Sequence, residues 1–241
     1  MDRDPNSASP ARWKRQILAI LLFGIAFGYV EAAVVTYLRP QFDAVRATFV
    51  PPGSRGDLFP MLSPPQVMAA GPRMTKMVGT EIVREAATLL MLGAVAAAVG
   101  GNVRQWLAFF LLAFGAWDIF YYIFLKVLID WPKSLLTWDV LFLIPVPWSA
   151  PILAPVLVAL TMVTTALIYL WREANGNSIR LRGIHWVGVY AGALLVLAAF
   201  TWDFRNVMAG GMPKPFLWPV FASGEALWLM TFLHALYARD K

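Results

Sequence analysis

Residues 17–30 read ILAILLFGIAFGYV, an uncharged apolar run that follows directly on Arg12, Lys14 and Arg15. Such a run behind a basic cluster reads as the start of a membrane span. A cleaved signal peptide competes with that reading, since Glu31-Ala32-Ala33 follows the apolar region. However, the apolar pattern continues through Val34, Val35 and Tyr37, which favours an uncleaved span over Trp13–Leu38.

The rest of the chain repeats the pattern. Of its 241 residues, 59% are hydrophobic and only 14% charged, against roughly 25% charged in soluble domains. With so few charges, lipid is the solvent that suits the chain. Further spans are expected at Lys76–Val99, Arg104–Leu128, Ser149–Trp171, Ile184–Trp202 and Phe216–Tyr237. The expected fold class is therefore all-α: a polytopic helix bundle of about six spans forming one membrane domain over 13–241. Residues 1–12 are polar and are expected to be a disordered tail. Residues 39–75 carry seven prolines and are expected to form the one long loop, with room for a short interfacial helix at Gln41–Phe49. The stretch WPKSLLTWDVLFLIPVPW (131–148) has an apolar part too short to span. Residues 134–145 are expected to be a re-entrant or interfacial half-helix.

Loop charges suggest an orientation. With six spans, ten Lys and Arg fall on the side of both termini, against eight on the other side, five of them in or beside the long loop. The denser set predicts cytoplasmic termini, in a bacterial inner membrane. The net charge of +6 is accounted for by these topology signals and by contacts with anionic lipids, so no nucleic-acid partner is expected.

The acids distribute unevenly on this topology. Glu31, Glu81, Glu85, Asp118, Asp139, Asp203 and Glu225 all fall in the outer half or at the outer rim. Asp118 lies fourteen residues into the third span, roughly 21 Å up the helix. A charge within hydrocarbon costs about 2.5–3.5 kcal/mol on insertion scales, so Glu31, Asp118 and Glu225 call for a partner, an interior face or water. Glu81 and Glu85 share a helix face with Arg84 adjoining it. The bland reading is a buried ion network in which Arg84 neutralises one of that pair, or Glu31 or Asp118 from a neighbouring helix.

Trp-Asp recurs at Trp117-Asp118, Trp138-Asp139 and Trp202-Asp203, more often than composition leads one to expect. Interfacial placement explains the last pair well and the first pair poorly. Tyr121 and Tyr122 follow Asp118 by three and four residues, so a Tyr–Asp surface is expected on the third span. Lys126 is expected to snorkel to the interface, and Gly24-x-x-x-Gly28 to mark close helix packing.

Several chemistries lack their residues. There is no cysteine, which removes thiolate ligands and nucleophiles. His185 and His234 are the only histidines and fall on the side away from the acids, so haem, copper and di-iron sites are poorly supported. Nucleotide-binding glycine loops, Ser-hydrolase elbows and zinc-protease motifs are absent. No cofactor is predicted; a hard cation bound by oxygens remains compatible.

Three functional readings follow. The first is a binding or transport protein for a cation or cationic small molecule, with an outward-facing acidic and aromatic cavity. Its residues would be Glu31, Glu81, Arg84, Glu85, Asp118, Tyr121 and Glu225, with Trp117, Asp139 and Asp203 as secondary candidates. The second is an intramembrane enzyme acting on a lipid or isoprenoid, with Asp118 and Glu225 as acid and base and Arg84 holding an anionic head group. The third is an accessory subunit of a larger membrane complex. The expected partners are membrane lipids, a cation or lipid-like ligand, and other protein chains or further copies of this one.

Overall fold

The computed structural model describes residues 10–50, 58–179 and 181–238. In chain order these form α1 (Pro10–Phe49), α2 (Pro64–Ala69), α3 (Pro72–Val99), α4 (Val103–Ile129), β1 (Trp138–Phe142), β2 (Trp148–Pro151), α5 (Leu153–Ala174), α6 (Gly183–Thr201), α7 (Phe204–Met208) and α8 (Trp218–Tyr237). Five helical stretches are long and apolar enough to cross a membrane: Arg12–Phe49, Pro72–Val99, Val103–Ile129, Leu153–Ala174 and Gly183–Met208. The protein is an all-α membrane bundle with one small hairpin. The stretch expected as the sixth span is helical as α8 but is not among the five, because Glu225, His234 and the initial Trp218-Pro219 dilute its apolar run.

The first helix departs from the expected loop over 39–75. α1 runs for 40 residues with Pro40 inside it, about 60 Å against a hydrocarbon layer of roughly 30 Å. A proline removes one backbone hydrogen bond and crowds the carbonyl four residues back, yet here the helix continues on both sides of it. Gln41–Phe49 is thus the end of α1 and no separate interfacial helix. Residues 64–69 and 72–75, also expected as loop, are helical. The expected tail over 1–12 falls mostly on residues outside those described, and α1 takes in Pro10 onward.

The half-helix expected at 134–145 is replaced by an antiparallel hairpin. Trp138 pairs with Pro151, Asp139 with Ala150, Val140 with Ser149 and Phe142 with Trp148, with an irregularity between Val140 and Phe142. Pro145 and Pro147 cannot continue a helix, whereas a turn accommodates them. Cross-strand bonds then satisfy the backbone that a half-helix would have satisfied internally.

Packing makes two groups of helices. α4 is central to the first, with α1, α3 and α5 against it, while α6 and α8 pair with each other and touch α5 only lightly. Small residues set both close approaches. A Cβ on Gly24 would sit 2.8 Å from Ala116 Cβ, and one on Gly28 2.9 Å from the Trp117 carbonyl oxygen. Between α6 and α8, a Cβ on Gly192 would sit 2.8 Å from the Gly224 carbonyl oxygen. Aromatic and aliphatic side chains fill the α1–α4–α5 core around Phe109, Leu112 and Leu170. The hairpin is wedged between the two groups, with β2 against both α5 and α6.

Candidate functional site

The hairpin and the two helix groups enclose a cavity of about 470 Å³. It extends from the end bearing the α1–α3 connection, where Arg39 and Arg46 line it, down to Glu225 and Trp228 on α8. Seven carboxylates line it (Glu31, Asp43, Glu81, Glu85, Asp118, Asp139 and Glu225) against three guanidiniums (Arg39, Arg46 and Arg84). Most of the remaining wall is apolar or aromatic, including Phe114, Trp117, Phe142, Trp148 and Phe200. Phe142 forms the centre of this wall, with ring centroids 6.2 Å from Trp117 and 5.4 Å from Trp148.

Each acid has a distinct situation. Arg84 donates from Nη1 to Glu31 at 2.6 Å and from Nε to Glu81 at 2.9 Å, with Nη2 also on Glu81. Its guanidinium is therefore shared between α1 and its own helix. Of the partners expected for Arg84, it takes Glu31 and Glu81 and leaves Glu85 and Asp118. With its donors occupied in this way, it is not set to grip an anionic head group. Gly28, one turn before Glu31, packs α1 closely on α4.

Glu85 is buried and accepts the Leu143 backbone N–H at 2.8 Å. Leu143 follows the last residue of β1, so a carboxylate on α3 satisfies a backbone donor that the hairpin leaves over. Asp139 is almost fully buried and accepts the Tyr122 hydroxyl and the Val140 N–H, both at 2.8 Å. Tyr122 on the third span thus bonds an aspartate of the hairpin rather than Asp118.

Asp118 and Glu225 are the exceptions. Neither has an ion-pair partner among the described residues. Asp118 is partly exposed, although it lies deep in α4 and its neighbour Trp117 is only 5% exposed. Its exposure is to the cavity, which it lines. Glu225 accepts the Thr161 hydroxyl on Oε2 at 2.6 Å, while its buried Oε1 has no partner. Tyr121 also lines the cavity. Of the ten candidate residues, Asp203 alone lies elsewhere. It accepts from Asn206 Nδ2 and from the Lys214 N–H, both at 2.9 Å, and organises the α6–α8 connection.

Other groups lie away from the cavity. Lys126 bonds the Pro132 carbonyl at 3.2 Å and pairs with Asp130 at 2.7 Å. Hydrogen bonds from Lys126 and Lys133 hold the Asp130 carboxyl down to about 2. The two histidines meet at the far end of α6 and α8, Nε2 of His185 being 2.9 Å from Nδ1 of His234. The Arg182 N–H donates to His185 Nδ1, so in the neutral pair His185 donates from Nε2.

Sequence reasoning missed Arg39 and Trp148 as cavity residues, and Thr161 as the hydroxyl that bonds Glu225. Arg39 falls at the end of an apolar run and reads as a loop charge. Trp148 and Thr161 carry no local signal, because a hairpin and a neighbouring helix bring them in. Among the described residues, no three His, Cys, Asp or Glu side chains gather as a metal-ion site. The fold and cavity define a polytopic helical membrane protein with an acidic, aromatic-walled interior. No family model, curated protein or solved structure matches the chain.

Proposed function

We propose that the protein binds a hydrophobic organic cation in this cavity and carries it across the membrane. The observation that carries the reading is the pair Asp118 and Glu225, two carboxylates without a cationic partner in an apolar, aromatic-walled cavity. Burying an ionised carboxylate without a counter-charge is costly, and a ligand cation removes that cost. Aromatic faces such as Phe142 and Trp148 add cation–π attraction. The carboxylates are spread along the wall, which suits an extended organic cation better than a compact metal ion. In this reading the chain crosses a bacterial inner membrane six times with both termini in the cytoplasm, as its loop charges suggest.

The test is dodecylammonium binding to the protein in nanodiscs, measured against protein-free nanodiscs, followed by uptake into proteoliposomes. Saturable binding is expected, with Asp118→Asn and Glu225→Gln each weakening it about tenfold or more. Partitioning indistinguishable from the protein-free control, or binding indifferent to both substitutions in folded protein, would sink the proposal.

A further inference from the structure

Asp118 and Glu225 both lack a cationic partner, but their surroundings differ. Asp118 is partly exposed, and its exposure is to the cavity. Glu225 is only 9% exposed, and its Oε1 meets neither solvent nor a hydrogen-bond donor. An ionised carboxylate has acceptor sites on both oxygens. One that is buried with an oxygen left bare, and with no counter-charge, loses its charge by holding a proton.

Nothing packed around Glu225 offers that counter-charge. α6 and α5 are the helices against α8. At the level of Glu225, α6 presents Gly192, Leu195 and Val196, which pack on Gly224 and Trp228. Residues 191–200 of α6 and 153–168 of α5 contain no titratable side chain, and within α8 the nearest is His234, which bonds His185. The hairpin strands carry only Asp139, which is bonded to Tyr122. Across the cavity, α4 brings Asp118, Tyr121 and Tyr122, and α3 brings Glu85. None of these is a cation. Arg84 is held by Glu31 and Glu81 and Arg46 by Asp43, and Arg39 lies over the Trp131 ring.

The bond to Thr161 accommodates a neutral acid. At 2.6 Å it lies within the ordinary O–H···O range in either direction. In the acid form, Oε2–H donates to Thr161 Oγ1. Thr161 lies inside α5, where a threonine hydroxyl has a carbonyl of the preceding turn as its other acceptor. Thr165 uses the Thr161 carbonyl in this way at 2.7 Å. Oε1 is then a neutral carbonyl oxygen, far less costly to bury unpaired than a charged one.

We infer that the empty site holds a proton on Glu225 and that the bound cation displaces it, so that the protein exchanges one proton for each monovalent cation. The O–H bond of Glu225 breaks, its electron pair stays on the carboxylate facing the cation, and the proton leaves through the cavity to solvent. When the cation departs, the carboxylate takes up a proton again. Glu225 is thus never left charged and alone, and the exchange moves no net charge. This inference rests on the proposed cation site and adds the ion exchanged there.

The experiment uses dodecyltrimethylammonium, a quaternary cation with no proton of its own to lose. Its binding to the protein in nanodiscs is measured calorimetrically, against protein-free nanodiscs, at one pH in phosphate and in Tris. These buffers differ in heat of ionisation, so the difference in binding heat counts the protons released. About one proton per bound cation is expected, with affinity rising by up to about tenfold per pH unit. Glu225→Gln is expected to bind more weakly and to release no proton. Equal heats in the two buffers, on the unaltered protein, would overturn the exchange and leave the cation site standing. Proton release that persists in folded Glu225→Gln protein would show that another group holds the proton, and the assignment would fail. If no saturable binding is seen, the cation site and the exchange fail together.

Discussion

Arg84 is the residue that ties two helices together by charge. It holds Glu31 across the α1–α3 gap and Glu81 on its own helix. Removing one member of a buried ion group strands the others, at a cost of about 3–5 kcal/mol. Arg84→Met is therefore expected to lower the thermal unfolding midpoint sharply, and adding Glu31→Gln and Glu81→Gln to it should restore most of the loss. A single-variant loss that the two glutamines do not repair would show that Arg84 acts by packing. At this scale the sequence was informative where charge met depth. Glu31, Asp118 and Glu225 were conspicuous because a carboxylate within hydrocarbon needs a reason. Which acids Arg84 would take was not legible, because that depends on how α1 comes to lie beside α3. Arg39 was hidden for the opposite reason: a basic residue at the end of an apolar run looks like an ordinary topology signal.

Among the elements, α1 and the hairpin carry the lesson. The first helix was legible in its apolar portion but not in its length, since Pro40 is a strong local breaker signal and only the surrounding chain overrides it. The hairpin was illegible because a short apolar run flanked by prolines does not separate strand from half-helix. The α1–α4 contact, by contrast, follows from Gly24 and Gly28. Gly28→Ala would place its methyl 2.9 Å from both the Trp117 carbonyl oxygen and the Tyr121 nitrogen, backbone atoms that cannot swing aside. Destabilisation of about 1–3 kcal/mol is expected, read as a fall in the unfolding midpoint in detergent. An unchanged midpoint would mean that the two helices lie further apart than described.

For the whole molecule, the two helix groups and the cavity between them follow from which helices touch. No single-residue pattern encodes that; the sequence gives only the stripe of acids that ends up lining the space. Orientation belongs to this scale too. The chain has no cysteine, so a single introduced one reports without interference. Ser134→Cys, beyond α4, should react with a membrane-impermeant maleimide added outside intact cells. Ser178→Cys, beyond α5, should react only after permeabilisation. The reverse pattern would invert the orientation read from the loop charges.

The length of α1 has a mechanical consequence. Glu31 and Arg39 lie eight residues apart on its unbroken stretch before Pro40, about 12 Å along one rod. The rod rests on α4 at Gly24 and Gly28, and beyond them Ala32 and Val35 pack with Tyr122 and Leu125. A tilt that pulls Glu31 from Arg84 therefore also displaces Arg39. The charge lock inside the bundle and the guanidinium at its mouth are thus kinematically a single moving part.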